Sequence, residues 1–329
     1  MAYSQRDIEH AFGIVAMPVV DLNLEYVSFK NDVVISPEQR PILEEEMIDE
    51  QIIKEYDVSV ADVQMSNPHS IFHLYEFEAR TKFLDRIPRE NTENFREMKT
   101  RFLCCRYVIC AIDDFIYKCK NIELMAIRIN GDIYIGANKA LDLLADKKRW
   151  QMAVFGGLKF AKMVTHDPDP MREKHYSIVK KLRIENSQKH EAMSIFISSI
   201  ARAFDKGGKV VELKTLNSRT VRKVQNLAGD KARNWWLRAL LSGADRIVYG
   251  HMNGLKVEEI HEAHITDFTE RHFKFNGSRL FCEVYQLFDK IDKTLVEENS
   301  ICLVHSKNGS RLLTVCSTSE ESLKRSPYW

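Results

Sequence analysis

The segment Val210-Val211-Glu212-Leu213-Lys214-Thr215-Leu216 reads as a short strand, and its alternation fixes what each face of the surrounding sheet carries. Successive side chains on a strand project to opposite sides, so Glu212 and Lys214 share one face while Val211 and Leu213 share the other. An acid-hydrophobe-lysine triplet is half of a metal-dependent nuclease site, in which the Glu holds a divalent cation and the Lys neutralises charge at a phosphate. The other half is a set of further carboxylates converging on the same metal. Alone, the triplet is common by chance, and its ordinary reading is an exposed ion pair on a strand.

The rest of the chain reads as mixed α and β. Leu24 to Phe29 alternates as a strand does, with Pro37 and Pro41 punctuating its exit, and the acidic run Glu44 to Tyr56 reads as a surface helix or a loop. From Glu97 to Tyr117 the apolar residues Phe102, Val108, Ile109, Ile112 and Phe115 recur at helical spacing, which puts Arg106 on a long amphipathic helix. Ile122 to Ile129 and Ile133 to Ile135 are β-rich runs joined at Asn130-Gly131, a hairpin signal because both turn residues tolerate positive φ. Lys139 to Val164 reads as mostly helical, ended by Asp167-Pro168-Asp169-Pro170. Ile195 to Leu216 returns to strand around the turn Lys206-Gly207-Gly208-Lys209, Lys223 to Ser242 is helical, and Ile247 to Tyr249 opens another strand pair.

With 329 residues, 13 Gly, 8 Pro and no linker-like stretch, the chain reads as one domain over 1–329. A net charge of +1 argues against indiscriminate binding of polyanions, so any nucleic-acid contact has to come from a local patch. Seven cysteines, Cys104, Cys105, Cys110, Cys119, Cys282, Cys302 and Cys316, have no Cys-x-x-Cys and no zinc-module spacing; they read as core fillers in a reducing compartment. No signal pattern and no membrane-spanning apolar run is present, so the expectation is an intracellular protein with no membrane partner. Lys147-Lys148-Arg149 and Lys180-Lys181-Leu182-Arg183 are candidates for nuclear import, against the ordinary reading of solvated faces.

Around the triplet, three blocks occur in order: Phe155-Gly156-Gly157-Leu158-Lys159-Phe160, then Glu212-Leu213-Lys214-Thr215, then Trp235 to Gly243 followed by Arg246-Ile247-Val248-Tyr249-Gly250. Together with Glu25 to Phe29 upstream, they resemble the decapping exoribonuclease (DXO) family, which acts in quality control of RNA 5′ ends. The resemblance implies an α+β fold of two mixed β-sheets flanked by helices, nuclease-like, with the site in a cleft between the sheets. It also implies a pattern of Gly-Φ-x-Φ-Glu, then Glu-Φ-Asp, then Glu-Φ-Lys, where Φ is apolar. Here the first motif runs Gly157-Leu158-Lys159-Phe160-Ala161, with Ala161 in place of the metal-binding Glu. The second aligns with Ser198-Ser199-Ile200-Ala201-Arg202, with Ile200 and Arg202 in place of Glu and Asp. Of four carboxylates, Glu212 remains. Arg106 matches the family's substrate-contacting arginine, and Arg238 stands where the family usually has Gln.

If Arg106, Arg202, Lys214 and Arg238 all line the old cavity, they face one carboxylate. Like charges at ~4 Å repel by roughly 4 kcal/mol at an effective dielectric near 20, so such a pocket disfavours Mg²⁺ and suits a phosphate. The alternative is that Arg202 pairs with Glu212 and plugs the cavity. The expectation is therefore a non-catalytic family member without a metal cofactor, which binds or shields RNA 5′ ends through Arg106, Lys214 and Arg238 or acts as an adaptor on transcripts. Likeness to the degenerate insect branch of the family implies the nucleus and the chromatin-associated partners Rhino and Deadlock in piRNA precursor production. Two readings compete with it: an enzyme that recruits Glu185 or Asp205 to a metal, and a protein-interaction module with a closed cleft. His261 and His264, three apart, could bridge a metal on a helix but lack an evident third ligand. Trp235 and Trp236 could stack on bases, although such a pair is more often one core residue and one partly covered one.

Overall fold

The computed structural model describes residues 25–28, 42–43, 95–137, 156–157, 160–166, 177–186, 189–217, 224–253, 256–306 and 313–318. The expectations for 44–56, for most of the 139–164 helix, for the turn at 167–170 and for Lys147-Lys148-Arg149 lie outside them. In chain order the elements are β1 (Glu25–Ser28), β2 (Ile42–Leu43), β3 (Arg96–Glu97), β4 (Phe102–Cys105), α1 (Arg106–Lys118), β5 (Glu123–Ile129), β6 (Asp132–Ala137) and β7 (Thr165–His166). There follow β8 (Ser177–Asn186), β9 (Glu191–Ile200), β10 (Ala203–Phe204), β11 (Val210–Asn217), α2 (Gly229–Ser242), β12 (Arg246–Asn253), β13 (Lys256–His264), α3 (Ser278–Thr294), β14 (Ile301–Ser306) and β15 (Leu313–Thr318).

Two mixed sheets result. The larger runs β1-β8-β9-β4-β6-β5-β14-β15, with β3 added beside β9, and the smaller runs β13-β12-β11-β10-β2-β7. The helical spacing from Glu97 misled about one element: Phe102, Leu103 and Cys104 are fully buried on β4, which pairs in parallel with both β6 and β9. A strand covered on both faces reads as a continuous apolar run, which helical spacing can also accommodate. The helix therefore starts at Arg106, which becomes its first residue. The β5–β6 hairpin forms as expected, with Ile129 opposite Asp132 and both Asn130 (φ 53°) and Gly131 (φ 78°) left-handed. The expected helix from Lys223 splits into a 3₁₀ turn at Val224–Asn226 and α2, which ends on Gly243 in the left-handed conformation (φ 65°).

Helices α1 and α2 pack side by side, and α2 also touches strands of both sheets, β8 and β9 on one side and β11 on the other. Alternation on the smaller sheet divides its side chains between two cores. Val210, Leu216, Ile247, Tyr249 and Ala263 join the main core with the helices, while Val211, Val248, Val257 and Ile260 pack with Phe160, Met163 and Val164 behind the sheet. The chain comes so close there that a Cβ on Gly250 would stand 2.7 Å from Phe160 Cε2, which is why glycine occupies the middle of β12.

Three expectations change with this packing. Trp235 and Trp236 are both buried, at 4% and 2% exposure, rather than one buried and one partly covered. Their rings pack against Tyr249 and Phe275 respectively, so neither face is open to a base. Lys180, Lys181 and Arg183 are buried within β8 and not a solvated face, so the second basic run is no accessible import signal. Cys104, Cys110, Cys282 and Cys302 fill core positions, but Cys119 and Cys316 are exposed; all seven are free thiols.

Candidate functional site

Glu212 and Lys214 project from β11 toward the helices, and the helices meet them with arginines. Arg106 Nη1 donates to Glu212 Oε2 at 2.8 Å and to the carbonyl oxygen of Arg238 at 3.0 Å. A cation in the first turn of a helix opposes the helix dipole, so Arg106 holds its place on α1 through this pairing and not through local preference. Lys214 Nζ donates to the other carboxylate oxygen, Glu212 Oε1, at 2.5 Å. Ser242 Oγ, at the end of α2, stands 3.2 Å from Glu212 Oε2; no sequence signal marked it.

Arg202 follows β9 and is half-buried beside the same group. Burial depresses its pKa, Glu212 opposes that, and the charges of Arg106 and Arg238 depress it further. It is Arg106 and Lys214, not Arg202, that form the ion pairs with Glu212. The Arg202–Glu212 pair expected to plug the cavity is thus not formed among the described residues. Arg238 adds its charge to Lys214 and Arg202, and its Nε is buried without a hydrogen-bond partner. Four cations consequently cluster with one carboxylate, which two of them pair directly, leaving the group with excess positive charge.

The electrostatics follow from that imbalance. Burial alone would raise the pKa of Glu212, but Arg106 and Lys214 outweigh it and hold the carboxyl at about 2. Burial lowers the pKa of Lys214; Glu212 resists, Arg238 and Arg106 add to the fall, and the ammonium comes down to about 8. A protonated Lys214 attracts an anion and a neutral one does not, so anion affinity of the cluster should fall as pH rises through about 8. Titrating inorganic phosphate or a 5′-phosphorylated oligonucleotide between pH 7 and 9 checks this; Lys214→Arg, which stays charged, should flatten the profile.

The positions matched to lost carboxylates lie as follows. Ala161 sits in a helical turn at 160–164, buried, with its carbonyl accepting the Thr165 hydroxyl at 2.6 Å. Its neighbours Phe160, Met163 and Val164 pack behind the smaller sheet, on the face opposite Glu212. Ile200 is the last residue of β9, opposite Ser177. Glu185 is paired with Arg183 at 2.9 Å, and Asp205 Oδ1 accepts the Lys209 backbone N–H at 2.8 Å in the β10–β11 turn. Among the described residues Glu212 belongs to no group of three side chains able to hold a metal ion together. Among the described residues a divalent cation bound by several carboxylates does not fit this donor set, since Glu212, the one acid in the cluster, is already paired with two cations.

Two mixed sheets flanking helices, with a Glu-x-Lys strand facing them, define the class as a nuclease fold of the PD-(D/E)XK type. The chain belongs to the RAI1-like PD-(D/E)XK nuclease family, whose model matches residues 75–329. No curated protein matches it. Among solved structures it is similar to Candida albicans Rai1 in complex with pU5 and Mn²⁺, at 14% identity and TM-score 0.61 over 94% of this chain and 93% of that one. It is also similar to S. pombe Rai1 in complex with 3′-FADP, at 15% identity and TM-score 0.62 over 94% and 98%. K. lactis Dxo1 in complex with manganese gives 14% identity and TM-score 0.60 over 93% of each chain. At such identities the likeness is one of fold, and that fold is the one the sequence motifs implied.

Proposed function

We propose that this protein is a non-hydrolysing member of its family that binds or shields RNA 5′ ends or acts as an adaptor on transcripts. The observation that carries this reading is the cluster of Arg106, Arg202, Lys214 and Arg238 with Glu212, whose single negative charge is already exceeded by the two cations that pair with it. The remaining positive charge suits a phosphate and repels Mg²⁺ or Mn²⁺. That relatives of this fold were captured with a 5′-phosphorylated oligonucleotide and with manganese supports RNA as the ligand class and sharpens the contrast in metal chemistry. The finer assignment rests on resemblance of the missing-carboxylate pattern to that of the insect protein Cutoff. It puts the protein in the nucleus, on piRNA precursors, with Rhino and Deadlock as partners.

The test has two arms. Incubated with 5′-monophosphate or capped RNA and Mg²⁺ or Mn²⁺, the protein should give no more product than the same reaction with chelator; metal-dependent turnover would sink the proposal. In the second arm, single-stranded RNA affinity is followed against salt. Arg202 and Arg238 are the cations Glu212 does not pair, so Arg202→Ala with Arg238→Ala should flatten the log-log salt slope by about 1.4, at roughly 0.7 for each phosphate no longer neutralised. The effect should not depend on sequence, because phosphate contacts do not read bases. An unchanged slope and affinity would leave the closed-cleft interaction module as the better account.

A further inference from the structure

The antiparallel pairing of β12 with β13 sets His251 opposite Glu259 and Tyr249 opposite His261. Because side chains alternate along each strand, all four lie on one face of the smaller sheet. Parallel pairing of β11 with β12 extends the row, with Lys214 beside Tyr249 and Leu216 beside His251, so it is the face that also carries Glu212. Glu259 Oε2 stands 2.9 Å from His261 Nε2 and 3.6 Å from His251 Nδ1, and the two imidazole centroids are 4.7 Å apart. The three ligand atoms lie within 4.8 Å of one another, and this is the one such triplet among the described residues.

We propose that His251, Glu259 and His261 form a binding site for a Zn²⁺-class divalent ion, with two imidazoles and one carboxylate as ligands and a fourth position open to solvent. Tetrahedral zinc with nitrogen and oxygen ligands at about 2.0–2.1 Å holds its ligand atoms about 3.3 Å apart. The two separations to Glu259 straddle that value, and the histidine nitrogens, within 4.8 Å of each other, have to close by about 1.5 Å at most, which side-chain rotation supplies. Nitrogen-rich ligation selects zinc-like ions over Mg²⁺, which prefers oxygen throughout.

A hydrogen-bonded surface triad is the competing description, and it accounts for His261 but not for His251. His261 Nε2 and Glu259 are within hydrogen-bond length at 2.9 Å, whereas His251 Nδ1, at 3.6 Å, lies beyond it and within reach of an ion shared with the same carboxylate. His251 is itself 3% exposed, so its imidazole is held in place by the packing around it while Glu259 and His261 reach it from the exposed strand β13. The sequence hid the site because the His261-x-x-His264 spacing suggests a helix. On β13 those two residues fall on opposite faces, and the second histidine comes from the neighbouring strand.

The full-length protein, stripped of metal by chelator and desalted, would be titrated with ZnCl₂ by calorimetry, with bound zinc counted by elemental analysis. One equivalent should bind, MgCl₂ in its place should give no heat, and Co²⁺ should produce the visible absorption of a four-coordinate centre. His261→Ala and Glu259→Gln remove ligands at exposed positions, so the metal-free variants should melt with the parent; each should weaken Zn²⁺ binding by at least about tenfold and abolish the cobalt spectrum. Absence of zinc uptake by the parent, or uptake in both variants equal to the parent's, would overturn the site.

Discussion

Replacing Glu212 with alanine should destabilise the protein by about 3–5 kcal/mol, the cost of breaking a buried ion pair by removing one partner. Arg106 and Lys214 would lose their counter-ion while Arg202 and Arg238 remain beside them. The pH dependence has a definite sign. The Glu212 carboxyl is held at about 2, below its ordinary 4.5, so its contribution is fully present above about 4.5 and is lost as pH falls toward 2. The gap between parent and variant, measured by chemical denaturation, should therefore narrow over that interval. A second signature separates a counter-ion from a metal ligand. Phosphate or sulfate should raise the melting temperature of Glu212→Ala more than that of the parent, because an anion can take the vacated place and a ligand that binds only the folded state stabilises it. If Mg²⁺ rather than an anion stabilises the parent, and Glu212→Ala removes that effect, the metal-binding account returns.

This arrangement was only partly legible in the sequence. Strand alternation correctly put Glu212 and Lys214 on one face, and Asn130-Gly131 correctly announced its hairpin, because both depend on neighbouring residues alone. The start of α1 was missed because Phe102-Leu103-Cys104 is apolar throughout, which a doubly covered strand and a buried helix share. Which arginine would pair with Glu212 was equally hidden. Arg106 and Glu212 are 106 residues apart, and their meeting depends on how α1 and α2 pack over the smaller sheet. The histidine triplet shows the same limit: Glu259-x-His261 is a local signal, but its third member is supplied by strand register, which no single segment states.

Trp236→Ala should cost about 3–5 kcal/mol, in the range of large aromatic truncations in a core. At 2% exposure the ring is among the largest fully enclosed side chains. It packs against Phe275 with ring centroids 5.8 Å apart, and the Arg233 guanidinium lies 5.4 Å from its centre. Truncation would leave a cavity that α2 cannot close without drawing Arg233 away from Asp113, to which its Nε donates at 2.8 Å. Burial, the largest influence on Asp113, already raises its pKa against the pull of Arg233, so loosening that pair adds to the penalty. Trp236→Phe separates volume from polarity. The indole Nε1–H is buried without a partner, so its removal relieves an unmet donor and should offset part of the lost volume. The expected order of stability is parent, then Trp236→Phe close behind, then Trp236→Ala well below, unchanged by added RNA. If Trp236→Ala instead kept the parent's melting temperature and lost RNA binding, the ring would be a stacking platform and the enclosed position of α2 would have to be revised.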